Sequence, residues 1–388
     1  MDQMAAWRRF PMTGPVALDL SFHSVHRNPT SIHRAAKHFL DTLGKATDGN
    51  IRPRRKHVLY HDDRQVKLLY VDLHQGWARS APTRPSETGT IHVTARRVRD
   101  VAADLRAASL VSYYDYHDDN PFSTVEPPDE PDTGWPGIPP AELTDFHRWA
   151  DDVTRFHYIA DLQEAILAST DATLLTWLAD YLSTTRERST DEQIAAILAD
   201  ARAMSRDLLL SNPLSIPLPS LPEKKGGGKA FIQQVRPQIE EFRSRWPLFQ
   251  SLLVPVTLTF LVIPPAQGKD LDNIALDALP IAHDVLQPHI APHVLAPRYP
   301  GRAMDPEHKQ EIARLRSVNA RSVVAFQVIE LPRSAADPPE GSLRAALGPY
   351  RYFSWWERAS DYLERKIEEA DQRGELGNDL WDEVFSRW

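Results

Sequence analysis

The stretch VALDLSF, residues 16–22, decides how this chain is read. Val16, Leu18, Leu20 and Phe22 fall on one side of an extended chain, and Asp19 and Ser21 fall on the other. A period of two is that of a half-buried strand. Far along the chain the pattern returns in VPVTLTF, residues 254–260, where Val254, Val256, Leu258 and Phe260 align without a gap on the first four. Both strands lead into a helix, for Ser31 stands nine residues after Phe22 and Asp270 ten after Phe260. A second pair follows, RQVKLLYVDL (64–73) over RSVVAFQVIE (321–330), again strand on strand. Self-similarity of this kind marks two copies of one strand–helix–strand unit.

The rest of the chain is organised around these units. At 388 residues it exceeds what one compact core usually holds, so two or three domains are expected. The N-terminal unit spans 1–112, with a helix from about Ser31 to Leu43 stopped by Gly44, a strand region in VLYHDDRQVKLLYVDLH, and a strand at 91–98 that runs into a helix to about Ser109. The Pro- and Asp-rich stretch 113–140 reads as a linker. Residues 141–210 read as a helical insert of three helices, with breaks near Ser169–Asp171 and Ser183–Ser189, and 211–229 as a second linker. The C-terminal unit spans 230–345, with a helix at 230–246, and 346–388 is a Trp-rich helical tail.

Composition excludes some chemistry. There are no cysteines, so disulfides, thiolate nucleophiles and zinc–cysteine sites are out. No apolar run reaches the roughly 18 residues of a membrane span and the N-terminus lacks a signal-peptide core, so no membrane partner and a cytoplasmic location are expected. The net charge of −8 argues against a general nucleic-acid coat protein. It hides an asymmetry: residues 1–80 carry 13 Lys/Arg against 7 Asp/Glu, and residues 141–210 carry 6 against 13.

The densest chemistry lies in GKDLDNIALDAL, residues 268–279, where Asp270, Asp272 and Asn273 crowd a helix start. Such a cluster either caps the helix, favoured by its dipole, or holds a cation. The segment resembles RusA-type Holliday junction resolvases, which show D-x-D-N-x-x-K-x-x-x-D-x-L opening a helix after a strand, then D-D-x-Q-[IV] entering the next strand. Asp270, Asp272 and Asn273 match the head of that motif, but Leu276 replaces its Lys and Asp277 arrives early. The N-terminal copy is the complement. Lys37, Asp41 and Leu43 keep the family spacing and DDRQV supplies Asp62, Asp63, Gln65 and Val66, while Ser31, His33 and Arg34 occupy the head positions. In the C-terminal copy the paired acids fall on Asn319 and Ala320, so each copy keeps the half the other lost. The resemblance covers roughly 140 of the 388 residues.

What the resemblance implies is an α+β fold, a homodimer, and Mg²⁺-dependent phosphodiester cleavage at four-way DNA junctions, with both motif halves supplied by one subunit. Asp62, Asp63, Asp270 and Asp272 would hold the metal and Lys37 would contact the phosphate, with Asn273, Asp41 and Asp277 in support. Mg²⁺ takes a few carboxylates and completes its shell with water and phosphate oxygens. Arg52, Arg54, Arg55 and Lys56, with Arg64 nearby, suit tracking of a phosphate backbone. The expected protein is thus a fused pseudo-dimer, monomeric or homodimeric, that nicks branched or junction DNA from a single site. The competing expectations are a non-catalytic descendant that binds branched DNA or a protein, and an interaction protein working through 141–210 and the Trp-rich tail. KKGGGK (224–229) fails the phosphate-loop spacing and reads as flexible. YYDYHDD (113–119) reads as linker, His23, His26 and His33 match no standard metal set, and Trp355, Trp356, Trp381 and Trp388 read as core or contact residues.

Overall fold

The computed structural model describes residues 11–24, 30–44, 57–75, 89–114, 145–183, 192–212, 214–220, 228–265, 271–286, 306, 323–335, 337–351 and 353–373. Their centre is one mixed sheet of seven strands in the order β3-β1-β2-β6-β5-β7-β4, flanked by seven helices. Strand β1 (Val16–Ser24) runs parallel to β2 (Val66–Gln75) and antiparallel to β3 (Thr90–Arg97). Strand β5 (Val256–Ile263) runs parallel to β6 (Val323–Glu330) and antiparallel to β7 (Ser342–Pro349). The two trios meet where β2 pairs antiparallel with β6, from Leu68↔Ile329 to Asp72↔Ala325. The short β4 (Ser215–Leu218) extends the sheet beyond β7.

The trios correspond residue by residue. Val16 faces both Val66 and Arg97, with a register shift just after it; Val256 faces Val323 and Pro349, with the same shift. The pairing of 64–73 with 321–330 is therefore kept, since Val66 and Val323 hold equivalent places. The first strands match two residues later than the apolar pattern suggested, Val16 on Val256 in place of Val254. A slip of two preserves every face, because side chains alternate with period two, which is why the pattern alone did not see it.

Both faces of the sheet are covered. Helices α1 (Ile32–Gly44), α5 (Gly228–Arg245) and α6 (Leu271–Val285) lie on one, where Ile32, Ala36 and Leu40 join Leu18, Leu20, Leu258, Phe260, Ile274 and Leu279 in one core. Helices α2 (Val98–Tyr114), α4 (Glu192–Ser211) and α7 (Trp355–Gln372) lie on the other, with Leu105, Leu209, Trp355 and Trp356 in a second core. The strand VALDLSF is thus not half-buried: Asp19 is only 5% exposed and Ser21 only 8%.

Helix α3 (Asp145–Ser183) serves both cores, with Phe156, Ala160 and Leu167 in the first and Leu174, Leu175 and Leu178 in the second. No break occurs at Ser169–Asp171, so the described helical insert holds two helices, not three. The Thr173 and Thr176 hydroxyls donate to the carbonyls of Ser169 and Ala172, and Asp171 accepts from Trp355 Nε1 and Arg358. Tertiary partners there override a local turn signal. Gln163, buried on α3, donates to the carbonyls of Leu248 and Ser251 and accepts from Leu253 N, fixing the helix to the approach to β5.

Two boundaries move. The expected linker 211–229 contains β4, whose Pro217 is tolerated because an edge strand leaves one N–H direction free. Strand β7 crosses the expected unit boundary at 345; its LRAALG lacks the β-branched residues that announce a strand. It is entered through Gly341 at φ +74°, where a Cβ would stand 2.3 Å from the Ile263 carbonyl oxygen. Gly341→Ala is therefore expected to lower stability by at least about 1–3 kcal/mol, read as a shift in the urea midpoint with the slope unchanged.

Candidate functional site

The acidic residues expected to form a site enter the fold as follows. Strand β2 is preceded by a 3₁₀ turn, Asp63–Gln65, capped by Asp62. Asp62 Oδ1 accepts from Arg64 N at 3.0 Å, and Gln65 Oε1 accepts from His61 N at 2.8 Å and Asp62 N at 3.1 Å. Gln65 Nε2 donates to the carbonyls of Met12 and Gly14. DDRQV is thus a reciprocal cap with Asp62 and Arg64 exposed and Asp63 half-buried. On α1, Lys37 is half-buried and Asp41 exposed; on α6, Asn273 and Asp277 are half-buried. Asp272 lies in the first turn of α6, but its side chain, Asp270, Arg52, Arg54, Arg55 and Lys56 lie outside the described residues, as do His26, the residues 115–144 of the first linker, Asn319, Ala320, Trp381 and Trp388.

Sheet topology decides which of these can meet. Because β1 and β2 are parallel, α1 begins at one end of the sheet and Asp62–Asp63 stand at the opposite end. Within one unit the two motif halves are therefore separated by the length of a strand. The antiparallel β2–β6 pairing turns the second unit over. Leu68 then pairs with Ile329, and Val262 with Glu330, so β5 ends, and α6 begins, at the end where β2 starts. Asp62–Asp63 and the start of α6 share that end of the sheet, two strand spacings or about 10 Å apart across it. There Lys67 Nζ closes on Glu330 Oε1 at 2.6 Å, and α1 packs against α6. In this strand order the halves that share one end of the sheet belong to different units, unlike the family arrangement in which one subunit supplies both.

A second constellation escaped the sequence reading. On the face covered by α7, β1 and β2 present Asp19, Ser21, His23, Tyr70, Asp72 and His74. Asp72 is 0% exposed. Its Oδ2 lies 2.9 Å from His74 Nε2 and 3.4 Å from the Tyr70 hydroxyl, while its Oδ1 is buried with no hydrogen-bond partner among the described residues. His74 Nδ1 lies 3.1 Å from the Tyr350 hydroxyl, and its ring stacks on His23 at 4.5 Å between centroids. His92, on β3, meets His23 edge-on at 5.2 Å. The Tyr70 hydroxyl donates to the Arg351 carbonyl at 2.7 Å, and Ser354 N donates to Asp19 Oδ2 at 3.3 Å.

The electrostatics follow from burial. Loss of water pushes the Asp19 carboxyl up to about 8, with Asp72 and Glu357 adding to the rise and Ser354 opposing it. Burial, then the neighbouring His74 and His92, holds His23 below the ordinary histidine range. Burial followed by Asp72 lifts the Tyr70 phenol well above its ordinary value. Among the described residues no three His, Asp or Glu side chains come together in a metal-holding group. His33, buried on α1, is also held low by burial. The signal available in the sequence was an Asp two or four places before a His on each of two strands, in DLSFH and DLH.

The second unit supplies an internal comparison. The places of Asp19, Ser21 and His23 are taken there by Thr259, Leu261 and Ile263, and those of Tyr70, Asp72 and His74 by Gln327, Ile329 and Leu331. The same sheet packs at the same positions with mostly apolar side chains, so the polar cluster is not a requirement of the fold.

Comparison with protein families, with curated proteins and with solved structures returned no match for this chain.

The comparison between halves makes a stability prediction. His74→Leu alone leaves the Asp72 carboxylate buried without its imidazole and is expected to cost about 3–5 kcal/mol, whereas exchanging Asp19, Asp72 and His74 together for Thr, Ile and Leu is expected to be neutral or stabilising by about 1–4 kcal/mol. Equilibrium unfolding of the two variants at pH 7 checks the order; it is wrong if the triple exchange is the worse of the two.

Proposed function

We propose that this chain is a Mg²⁺-dependent, structure-selective endonuclease resembling RusA-type resolvases, a fused pseudo-dimer that hydrolyses one phosphodiester bond of branched DNA from a single composite site. The observation that carries the reading is the antiparallel β2–β6 pairing, by which Asp62–Asp63 and the start of α6 share one end of the sheet. The equivalence of the two strand trios supports the view that they are diverged copies standing in for two subunits.

Asp62, Asp63, Asp270 and Asp272 would hold the ion, and their hard carboxylate oxygens suit Mg²⁺. When bound, the ion polarises the phosphoryl oxygen, lowers the pKa of a coordinated water and steadies the leaving oxygen. Lys37 offsets charge on the phosphate. Arg52, Arg54, Arg55, Lys56 and Arg64 hold the DNA backbone and give binding its salt dependence. Asn273, in the first turn of α6, and Asp41 and Asp277 support the helices on which the site rests. At the opposite end the head positions hold Ser31 and the buried His33, so no second ion is gathered there and one strand is cut.

A non-catalytic junction binder is the second reading, favoured by the use of Asp62 as a backbone cap and by Leu276 in the motif's lysine position. Incubation of strand-labelled four-way junctions with Mg²⁺ separates the two. A nick in one strand, lost in both Asp63→Asn and Asp272→Asn and reduced in Lys37→Ala, is expected. Junction binding without cleavage selects the second reading, and equal cutting by the Asp272→Asn variant removes the proposed site.

A further inference from the structure

We propose that Asp19, with Asp72 beside it, forms a proton-dependent latch, closed while Asp19 carries its proton, that docks the entry of α7 onto the first strand trio. Helix α7 leaves the second trio, from β7, yet it packs against α2 of the first. Three polar contacts hold its entry to β1 and β2: Ser354 N to Asp19, the Tyr70 hydroxyl to the Arg351 carbonyl, and the Tyr350 hydroxyl to His74, while Trp355 Nε1 and Arg351 meet Asp171 and Glu164 of α3. Ser354 also caps the helix through its hydroxyl, which accepts from Glu357 N at 3.2 Å. The two carboxylates stand on neighbouring strands beneath this entry and are almost wholly buried. Two buried charges of like sign interact strongly where no water screens them.

Among the described residues the surrounding charges leave Asp19 without a cation of its own. On β1 and β2 it faces His23, Tyr70, Asp72 and His74, and the imidazole of His74 is taken up by Asp72 and Tyr350. From β3 come His92 and Arg96, and Arg96 is paired with Asp104 of α2 and lies 3.9 Å from Glu357 of α7. From α7 comes Arg358, paired with Asp171 of α3. Glu357 is itself raised by burial, against the pull of Arg96, with Asp361, Asp104 and Glu364 adding to the rise. The second trio shows that the sheet does not need this arrangement, since Thr259 and Ile329 fill the equivalent places.

The sign of the effect follows. Asp19 keeps its proton in the docked state up to about pH 8, where an exposed carboxyl would have lost it near 3.8. The docking it contributes is present in full below the lower value and is lost as pH rises toward the upper one. Above that, Asp19 is charged and holds α7 least well.

Hydrogen–deuterium exchange of the whole chain from pH 6 to 9, corrected for intrinsic rates, tests the latch. Exchange in peptides from 355–372 is expected to rise relative to peptides of β5 and β6, by up to about tenfold per pH unit, and to level off near pH 8. Asp19→Asn should abolish the excess rise and Asp72→Asn should reduce it, while Asp361→Asn should leave it. The latch is overturned if α7 tracks the sheet at every pH, or if Asp19→Asn keeps the rise. Should both inner variants fail to fold, the wild-type profile decides alone, through the presence or absence of an α7-specific rise that levels off near pH 8.

Discussion

The antiparallel pairing of β2 with β6 is the constraint on which the rest of the molecule depends. Each strand trio ends in a strand with an unpaired edge, and such an edge seeks a partner. Joining the two edges makes one continuous sheet and one pair of cores, so neither trio has to be stable alone. The direction of the joint matters as much as its existence. A parallel joint would place both DLDN-type helix starts at one end and both acid-bearing turns at the other. The antiparallel joint places one of each at either end, so a site at one end can be complete while its counterpart decays. In the proposed reading this is why each copy could lose a different half of the motif.

Fusion also frees equivalent positions to diverge. In a symmetric dimer a buried aspartate on β1 would appear twice, with its desolvation cost doubled. In one chain Asp19 and Asp72 occur once, opposite Thr259 and Ile329 in the other trio. A buried carboxylate is costly unless it is protonated or paired, and both devices are present: Asp19 is held neutral by its surroundings and Asp72 sits beside His74. The helix α7 that covers them comes from the far trio, so the cluster joins parts of the chain more than 330 residues apart, as in the contact of Asp19 with Ser354.

The additions to the duplicated core serve the same sheet. Helix α3 fills parts of both cores, and β4 pairs with the outer edge of β7. Asp171, midway along α3, receives Trp355 Nε1 and Arg358, so the helical segment and α7 are fixed to each other through a buried charge. Among the described residues no helix is long and apolar enough to cross a membrane.

Local pattern was sufficient for the strands β1, β5 and β6, for helices α1 and α5, and for the correspondence of 64–73 with 321–330, because period, Gly stops and β-branched runs are properties of short windows. It placed Asp62 and Gln65 together but not their role, since a capping box and a ligand pair share residue types. It missed β4 and β7, where the strands are made by pairing and not by propensity, and it divided α3 at a Ser-Thr-Asp turn signal that Trp355 and Arg358 cancel from across the fold. Above all, the alternation in VALDLSF fixed which side chains share a face but could not say whether the second face is covered. That was settled by α7 arriving from the far end of the chain, and burial is a property of what lies opposite a residue, which no short window contains.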